Sequence, residues 1–136
     1  MADLLECLIQ IKALTHSITR LERWVAEAPA ETHRTVAALL ERLVEAERAY
    51  ARDGLGLAVE GAAGGPTSPM DAFRRMRQAN LAVLEACSAE DLGRSVDWPG
   101  RPGTSVADLV AIMLAHDTER IGEIRRCVEN ARRAGG

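Results

Sequence analysis

The sequence predicts an all-α fold, a four-helix bundle, and three observations support this prediction. The chain has 136 residues, the length of one domain, and 47% of them are hydrophobic while only 3% are aromatic. A core built from Leu, Ile, Val, Ala and Met favours helices. Apolar residues recur at spacings of three and four in four segments, which stretches rich in Gly and Pro separate. We therefore expect a single domain over residues 1–136.

The first segment is predicted to be a helix from about Asp3 to Glu27. Asp3 and Glu6 have the spacing of an N-terminal capping box, and Pro29 follows the helix. The stripe expected to face the core consists of Leu4, Leu8, Ile11, Leu14, Ile18, Leu21 and Val25.

The second helix is predicted from about Thr35 to Arg52, and the short connection before it predicts an antiparallel neighbour of the first. Its apolar stripe includes Leu43 and Tyr50. Residues 53–67 are predicted to be a loop, since their glycines and proline oppose a helix and match no phosphate-binding motif. Its apolar part, Leu55 to Val59, is expected to pack back on the bundle.

The third helix is predicted to start at Ser68, with Pro69 in the first helical position and Asp71 completing the capping box. The stripe on this helix is Phe73, Met76, Asn80, Val83 and Cys87, and the segment Ser88 to Asp91 can cap one more short turn. A second loop, 93–103, contains Trp98-Pro99-Gly100. The fourth helix is predicted from about Ser105 to Arg133, with Asp108 three residues after its cap.

Charge and composition exclude several classes of protein. The net charge of −3 gives no reason to expect nucleic-acid binding. No run of about 18 apolar residues is present to span a membrane, and an acid near the start replaces the basic region of a signal peptide. We expect a cytoplasmic protein whose three cysteines, Cys7, Cys87 and Cys127, are reduced and buried.

The candidate functional residues are polar side chains on the inward faces of the second and fourth helices. They are Arg42, Glu47, His116, Asp117 and Arg120. His116 and Arg120 are four residues apart, so they project from one helix face. A buried polar group without a partner costs about 1–3 kcal/mol. We therefore expect these side chains to contact each other, a ligand or water.

Two segments resemble the DinB/YfiT-like family of helical bundles. The segment from Thr35 to Glu47 is similar to that family's second helix, in which a metal-binding His is followed by Leu and later by Glu. The segment from Thr104 to Arg120 resembles its last helix, which carries H-D-x-x-H, and the Trp98-Pro99-Gly100 turn is also typical. The resemblance implies that family's four-helix-bundle topology, a three-histidine metal site, activity as a metal-dependent thiol transferase or hydrolase-like protein, and a homodimer.

This chain departs from the family at two of the three histidines. Arg42 and Arg120 stand at the first and last positions, and His116 alone is retained. A catalytic zinc or nickel ion needs about three protein ligands, and an arginine is a permanent cation that repels a metal. We therefore expect neither a metal cofactor nor the family's usual metal-dependent catalysis.

Three interpretations of the polar cluster remain open. In the first, Arg42 and Arg120 form a structural salt-bridge network with nearby acids, namely Glu47, Asp117, Glu45 or Glu119. In the second, the two guanidinium groups and His116 bind a small anionic ligand such as a carboxylate, phosphate or thiol conjugate. In the third, a metal-dependent transferase or hydrolase-like enzyme keeps an altered ligand set of His116 with Asp117, Glu119, Glu47, His16 or His33.

The sequence also offers a surface for the implied homodimer. The outer face of the first helix is rich in Ala and Leu, with Leu5 and Trp24 off the main stripe.

Overall fold

The computed structural model describes residues 4–56 and 68–135. The elements run in the order α1 (Leu4–Glu27), a 3-10 turn (Ala30–Thr32), α2 (His33–Ala49), a π-helical turn (Tyr50–Gly54), α3 (Pro69–Glu85), a short α4 (Ala89–Leu92) and α5 (Val106–Gly135). No described residue lies in a β-strand, so the predicted all-α fold is confirmed. Within these ranges, no helix has the length and apolarity required to cross a bilayer.

The starts of α3, α4 and α5 follow the predicted capping chemistry. At α3 the Ser68 hydroxyl accepts a hydrogen bond from the Asp71 amide at 3.2 Å, and Pro69 occupies the first turn, where its missing N–H costs nothing. Reciprocal Ser–Asp pairs cap the other two helices, Ser88 with Asp91 and Ser105 with Asp108. The predicted cap of α1, Asp3, lies outside the described residues.

The helical path after α2 is longer than the sequence predicts. A π-helical turn carries the helix to Gly54, so the first residues of the predicted 53–67 loop are helical. Gly54 lies against Leu109 so closely that a Cβ would collide with the Leu109 Cδ2 atom. Leu55 is buried, as its place in the apolar part of the loop predicts. Leu57, Val59 and the other residues of the range 57–67 lie outside the described residues.

α1 runs parallel to α5 and antiparallel to α3. Near its start it shares a cluster of buried residues with Val106, and its last residue, Glu27, accepts a hydrogen bond from Arg132 near the end of α5 at 3.3 Å. Glu22, close to the end of α1, pairs with Arg74, close to the start of α3. The two most extensive helix pairs are α1–α5 and α2–α3.

α2 runs antiparallel to α5 and parallel to α3. Leu40 shares a cluster with Ile124, while Tyr50, three turns further along, contacts His116. The bundle therefore has α1 and α5 pointing one way and α2 and α3 the other. The predicted antiparallel relation of the first two helices is correct, but they lie diagonally across the bundle rather than side by side, with few contacts between them.

The core consists of two apolar clusters, one toward the start of α1 and one toward its end. Leu4 and Leu8, predicted to face the core, are 45% and 49% exposed, because α1 turns Cys7 inward instead. On α3 the buried apolar side chains near its end are Leu81 and Leu84, while the predicted Met76, Val83 and Cys87 are partly buried.

Candidate functional site

A buried ionic network lies between the two apolar clusters, with Arg77 of α3 at its centre. The Arg77 Nε donates to Glu47, and its two terminal nitrogens donate to Asp117 at 2.8 and 2.7 Å. Arg77 also donates to the Leu14 carbonyl at 3.0 Å. These side chains are between 0 and 2% exposed, so the network joins α1, α2, α3 and α5 out of contact with solvent.

The charges in this network do not balance, since one guanidinium group meets two carboxylates. Burial raises the pKa of Glu47 to about 7, although the charge and hydrogen bond of Arg77 act in the opposite direction. The Asp117 charge adds to the rise. Asn80 supports Glu47 by donating to its carbonyl at 3.2 Å and to its side chain at 3.4 Å. Among the described residues, no hydrogen bond reaches the buried Asn80 Oδ1.

The structure brings Glu47 and Asp117 together as predicted, but their cation is not one of the two predicted arginines. Arg42 is exposed, and no hydrogen bond or ion pair joins it to another described residue. Arg120 pairs with Glu123 at 2.7 Å. The interpretation in which Arg42 and Arg120 neutralise Glu47 and Asp117 is therefore wrong, because Arg77 occupies that place.

Arg77 is the residue of this buried network that is absent from the predicted polar cluster. It lies four residues after Phe73 and three before Asn80, so it falls on the buried face of α3. Its guanidinium carbon lies 4.9 Å from the centre of the Phe73 ring. The sequence does indicate such a residue, because two acids on the inward faces of α2 and α5 require a buried cation between them.

His116 belongs to a second cluster, at the outer edge of the network. Contrary to the expected inward position, it is exposed, and its Nδ1 lies 2.6 Å from the Tyr50 hydroxyl. Trp98 stacks on Tyr50 with ring centres 5.5 Å apart and an angle of 29° between the planes. The π-helical turn thus supplies the tyrosine, α5 the histidine and the predicted Trp98-Pro99-Gly100 turn the covering ring.

Tyr50 connects the two clusters electrostatically. Burial raises the pKa of its phenol, and the negative charges of Glu47 and Asp117 raise it further. The charges of Arg77 and Arg120 act in the opposite direction. The phenol therefore remains protonated around neutral pH.

Two clefts lie beside the predicted residues. One, of about 480 Å³, follows α5 from Asp108 to His116 and is also lined by Arg101 and Thr104. The other, of about 750 Å³, contains Arg42 and lies between α2 and the start of α3. Arg42 and His116, predicted to share one site, thus line different clefts.

The structure also places the other potential ligand side chains. His16 and His33 are exposed, and the three cysteines are free, with Cys7 buried and the other two partly buried. In residues 4–56 and 68–135, no group of three or more His, Cys, Asp or Glu side chains is arranged to hold a metal ion.

Comparison with known proteins places the chain in a family. No curated protein and no solved structure matches the sequence. The model of the DinB superfamily matches residues 11–124, a range that includes Tyr50, Arg77 and His116. This match covers most of the chain and agrees with the helical bundle described above. The chain therefore belongs to the DinB superfamily.

Proposed function

We propose that this DinB-superfamily domain binds a small anionic molecule at the surface formed by His116 and Arg120, without a divalent metal ion. The proposal is supported by the different positions of the negative and positive groups: the carboxylates are buried, while the cationic side chain lies near the surface. The carboxylates of Glu47 and Asp117 are buried against Arg77. The exposed edge of the same site then presents an imidazole and a guanidinium group one helical turn apart.

Arg120 is available to a ligand despite its ion pair. The side chains of Arg120 and Glu123 are 33% and 29% exposed, and a solvent-accessible pair of this kind contributes only about 0–1 kcal/mol. An anion with two oxygens can replace Glu123, since a guanidinium group binds carboxylate and phosphate oxygens through parallel hydrogen bonds. This competition favours an anionic ligand over a neutral one.

The donor set at this surface does not fit the zinc or nickel ion that the family resemblance implies. His116 is the retained histidine, while its neighbour one turn away is the cation Arg120, and Arg42 lines another cleft. A zinc ion requires about three neutral or anionic protein ligands. We therefore propose that Glu47 and Asp117 serve the scaffold and that binding uses the surface side chains.

The test combines metal analysis with ligand screening. Untagged protein, purified without chelator, is analysed by inductively coupled plasma mass spectrometry, and we expect metal at background. Melting is then followed with a panel of carboxylates, phosphates and thiol conjugates. A ligand at about 100 times its Kd stabilises the fold by about 2.7 kcal/mol, which gives a measurable rise in Tm.

Two variants assign any binding to this surface. His116→Ala and Arg120→Gln are expected to abolish the rise in Tm, while the control Arg125→Gln, on the same helix and in an exposed pair with Glu129, should retain it. A panel that leaves Tm unchanged would refute anion binding. Near-stoichiometric zinc or nickel that is lost in His116→Ala would instead support the metal-dependent transferase or hydrolase-like alternative.

A further inference from the structure

The contact between Tyr50 and His116 joins a buried hydroxyl group to an exposed imidazole ring. The Tyr50 side chain is 2% exposed, and its hydroxyl lies 2.6 Å from the His116 Nδ1. Within the described ranges, this is the hydrogen bond that the hydroxyl makes. A phenol is protonated at neutral pH, and no other described acceptor reaches this buried hydroxyl, so we assign its single hydrogen to the hydrogen bond with Nδ1. A neutral His116 must then carry its own proton on Nε2.

This protonation pattern determines what the free edge of the ring can bind. A histidine that ligates a metal through Nε2 carries its proton on Nδ1 and usually donates it to an oxygen behind the ring. The proton on Nε2 reverses that arrangement, so the free edge of His116 is a hydrogen-bond donor. An oxygen that accepts hydrogen bonds is the matching partner.

We infer that Tyr50 is a positioning residue that fixes neutral His116 with its proton on Nε2, so that the site selects a ligand presenting a carboxylate or phosphate oxygen. This inference rests on the proposed anion binding and specifies the group that is recognised. The cleft along α5 accommodates the rest of the ligand, with Ile112 and Ala115 on its wall and Arg101 near its other end. Its volume of about 480 Å³ suits a small molecule.

Trp98 packs against Tyr50 and supports the Tyr50–His116 contact. Its ring is stacked on Tyr50 at 5.5 Å, and the Tyr50 and His116 rings have their centres 6.1 Å apart. The three rings thus form a series from the loop to the cleft. The loop that carries Trp98 is held by hydrogen bonds between the Val96 amide and the Thr104 carbonyl at 2.8 Å and between the Val106 amide and the Arg94 carbonyl at 2.9 Å. Tyr50 is therefore fixed from behind while it orients His116.

The protonation pattern can be measured without any ligand. In protein labelled with ¹⁵N-histidine, long-range proton–nitrogen correlation spectra distinguish the two neutral forms of each ring. At a pH where His116 is neutral, we expect a protonated Nε2 and an accepting Nδ1 in the native protein. Tyr50→Phe keeps the ring that stacks on Trp98 but removes the hydroxyl, so His116 should become a mixture of both forms. The exposed His16 is the internal control and should not change. Protonated Nδ1 in the native protein, or identical spectra in Tyr50→Phe, would overturn the inference.

Ligand selection is tested by titrating the same samples with acetate and with inorganic phosphate. We expect at least one probe to shift the His116 Nε2 resonance of the native protein and to bind several-fold more weakly to Tyr50→Phe. Equal affinity for both proteins would refute the positioning role. His116 can be protonated on Nε2 while neither acetate nor phosphate nor any member of the ligand panel binds. That result would refute both the proposed function and the ligand selection. It would leave intact only the conclusion that Tyr50 fixes the protonation of the His116 ring.

Discussion

Arg77 shows how one side chain can determine the interior of a bundle. It is 1% exposed, and its four hydrogen bonds go to two carboxylates and one carbonyl. A buried guanidinium group is tolerated only when its donors are satisfied, and the same holds for the carboxylates it meets. Removing Arg77 therefore affects two charges besides its own.

Arg77→Met is expected to destabilise the protein by about 3–5 kcal/mol, because it leaves Glu47 and Asp117 buried without a cation. Urea unfolding followed by circular dichroism measures the change. The control is Arg75→Met, two residues away on the exposed face of α3, where we expect a change within about 0.5 kcal/mol. Equal stability of the two variants would show that the network contributes little.

Glu47 gives the protein a specific dependence on pH. Its pKa in the folded state is about 7, above the ordinary value of 4.5, so the folded state binds this proton more tightly than the unfolded state. The resulting stabilisation is complete below the ordinary pKa and is lost as the pH rises toward about 7. We expect the free energy of unfolding to fall by on the order of 2–3 kcal/mol across this window.

Unfolding in urea at half-unit steps from pH 4.5 to 7.5 measures this dependence. Glu47→Gln should remove the slope, while the exposed control Glu119→Gln should retain it. Asp71 and Asp91 have lowered pKa values, so their contributions to the free energy of unfolding change mainly below pH 4. They therefore do not affect the slope between pH 4.5 and 7.5. A native protein whose stability rises from pH 4.5 to 7 would contradict the prediction.

At the residue scale, the sequence predicts which acids are buried but not which arginine meets them. Asp117 and Glu47 are interior residues in both the prediction and the structure. Arg74, Arg75 and Arg77 follow one another closely on α3, and their spacing alone leaves several rotations of the helix open. The choice depends on the packing of α3 against three other helices.

At the scale of single helices, the sequence predicts the N-terminal caps but not the rotation of each helix about its own axis. The caps of α3 and α5 are confirmed because a serine and an aspartate three residues on are sufficient to form them. The exposure of Leu8 and Arg42 depends instead on which neighbours each helix meets. Periodicity gives a stripe, but an error of about one residue in its centre moves its edges between core and solvent.

The π-helical turn depends on a residue without a side chain at Gly54. Gly54→Ala places a methyl group against Leu109 and should destabilise the protein by about 1–3 kcal/mol. Thermal unfolding compares it with Gly122→Ala in α5, where the new methyl group would meet the flexible end of Arg126 at 3.3 Å. That control should stabilise the helix by about 0.5–1 kcal/mol, since alanine is the better helix former. A Gly54→Ala protein as stable as the native one would show that α5 can shift to make room.

At the scale of the whole molecule, the residue pattern leaves the arrangement of the helices open. Four amphipathic helices fit several bundle topologies, and their stripes do not state which pairs run parallel. The direction of each pair emerged from particular contacts, such as Glu27 with Arg132 and Glu22 with Arg74.

We propose that the outer face of α1 is the contact between two copies of the chain. Leu4, Leu5, Leu8 and Ile9 are 45 to 62% exposed and adjacent on one helix. Light scattering after size-exclusion chromatography should give the mass of two chains. A Leu8→Asp, Ile9→Asp double variant should give a monomer, and Thr19→Asp, also exposed on α1, should remain a dimer. A monomeric native protein would remove this proposal.

The parallel packing of α1 against α5 has a consequence for how the protein is made. During synthesis α1 leaves the ribosome before the other helices, yet one of its most extensive contacts is with the last of them. α2, which follows at once, lies diagonally opposite and covers little of α1. Leu14 and Asp117, which meet Arg77 from α1 and α5, are separated by most of the chain. The interior therefore cannot close until α5 has emerged, and before that point only α3 can cover part of the apolar face of α1.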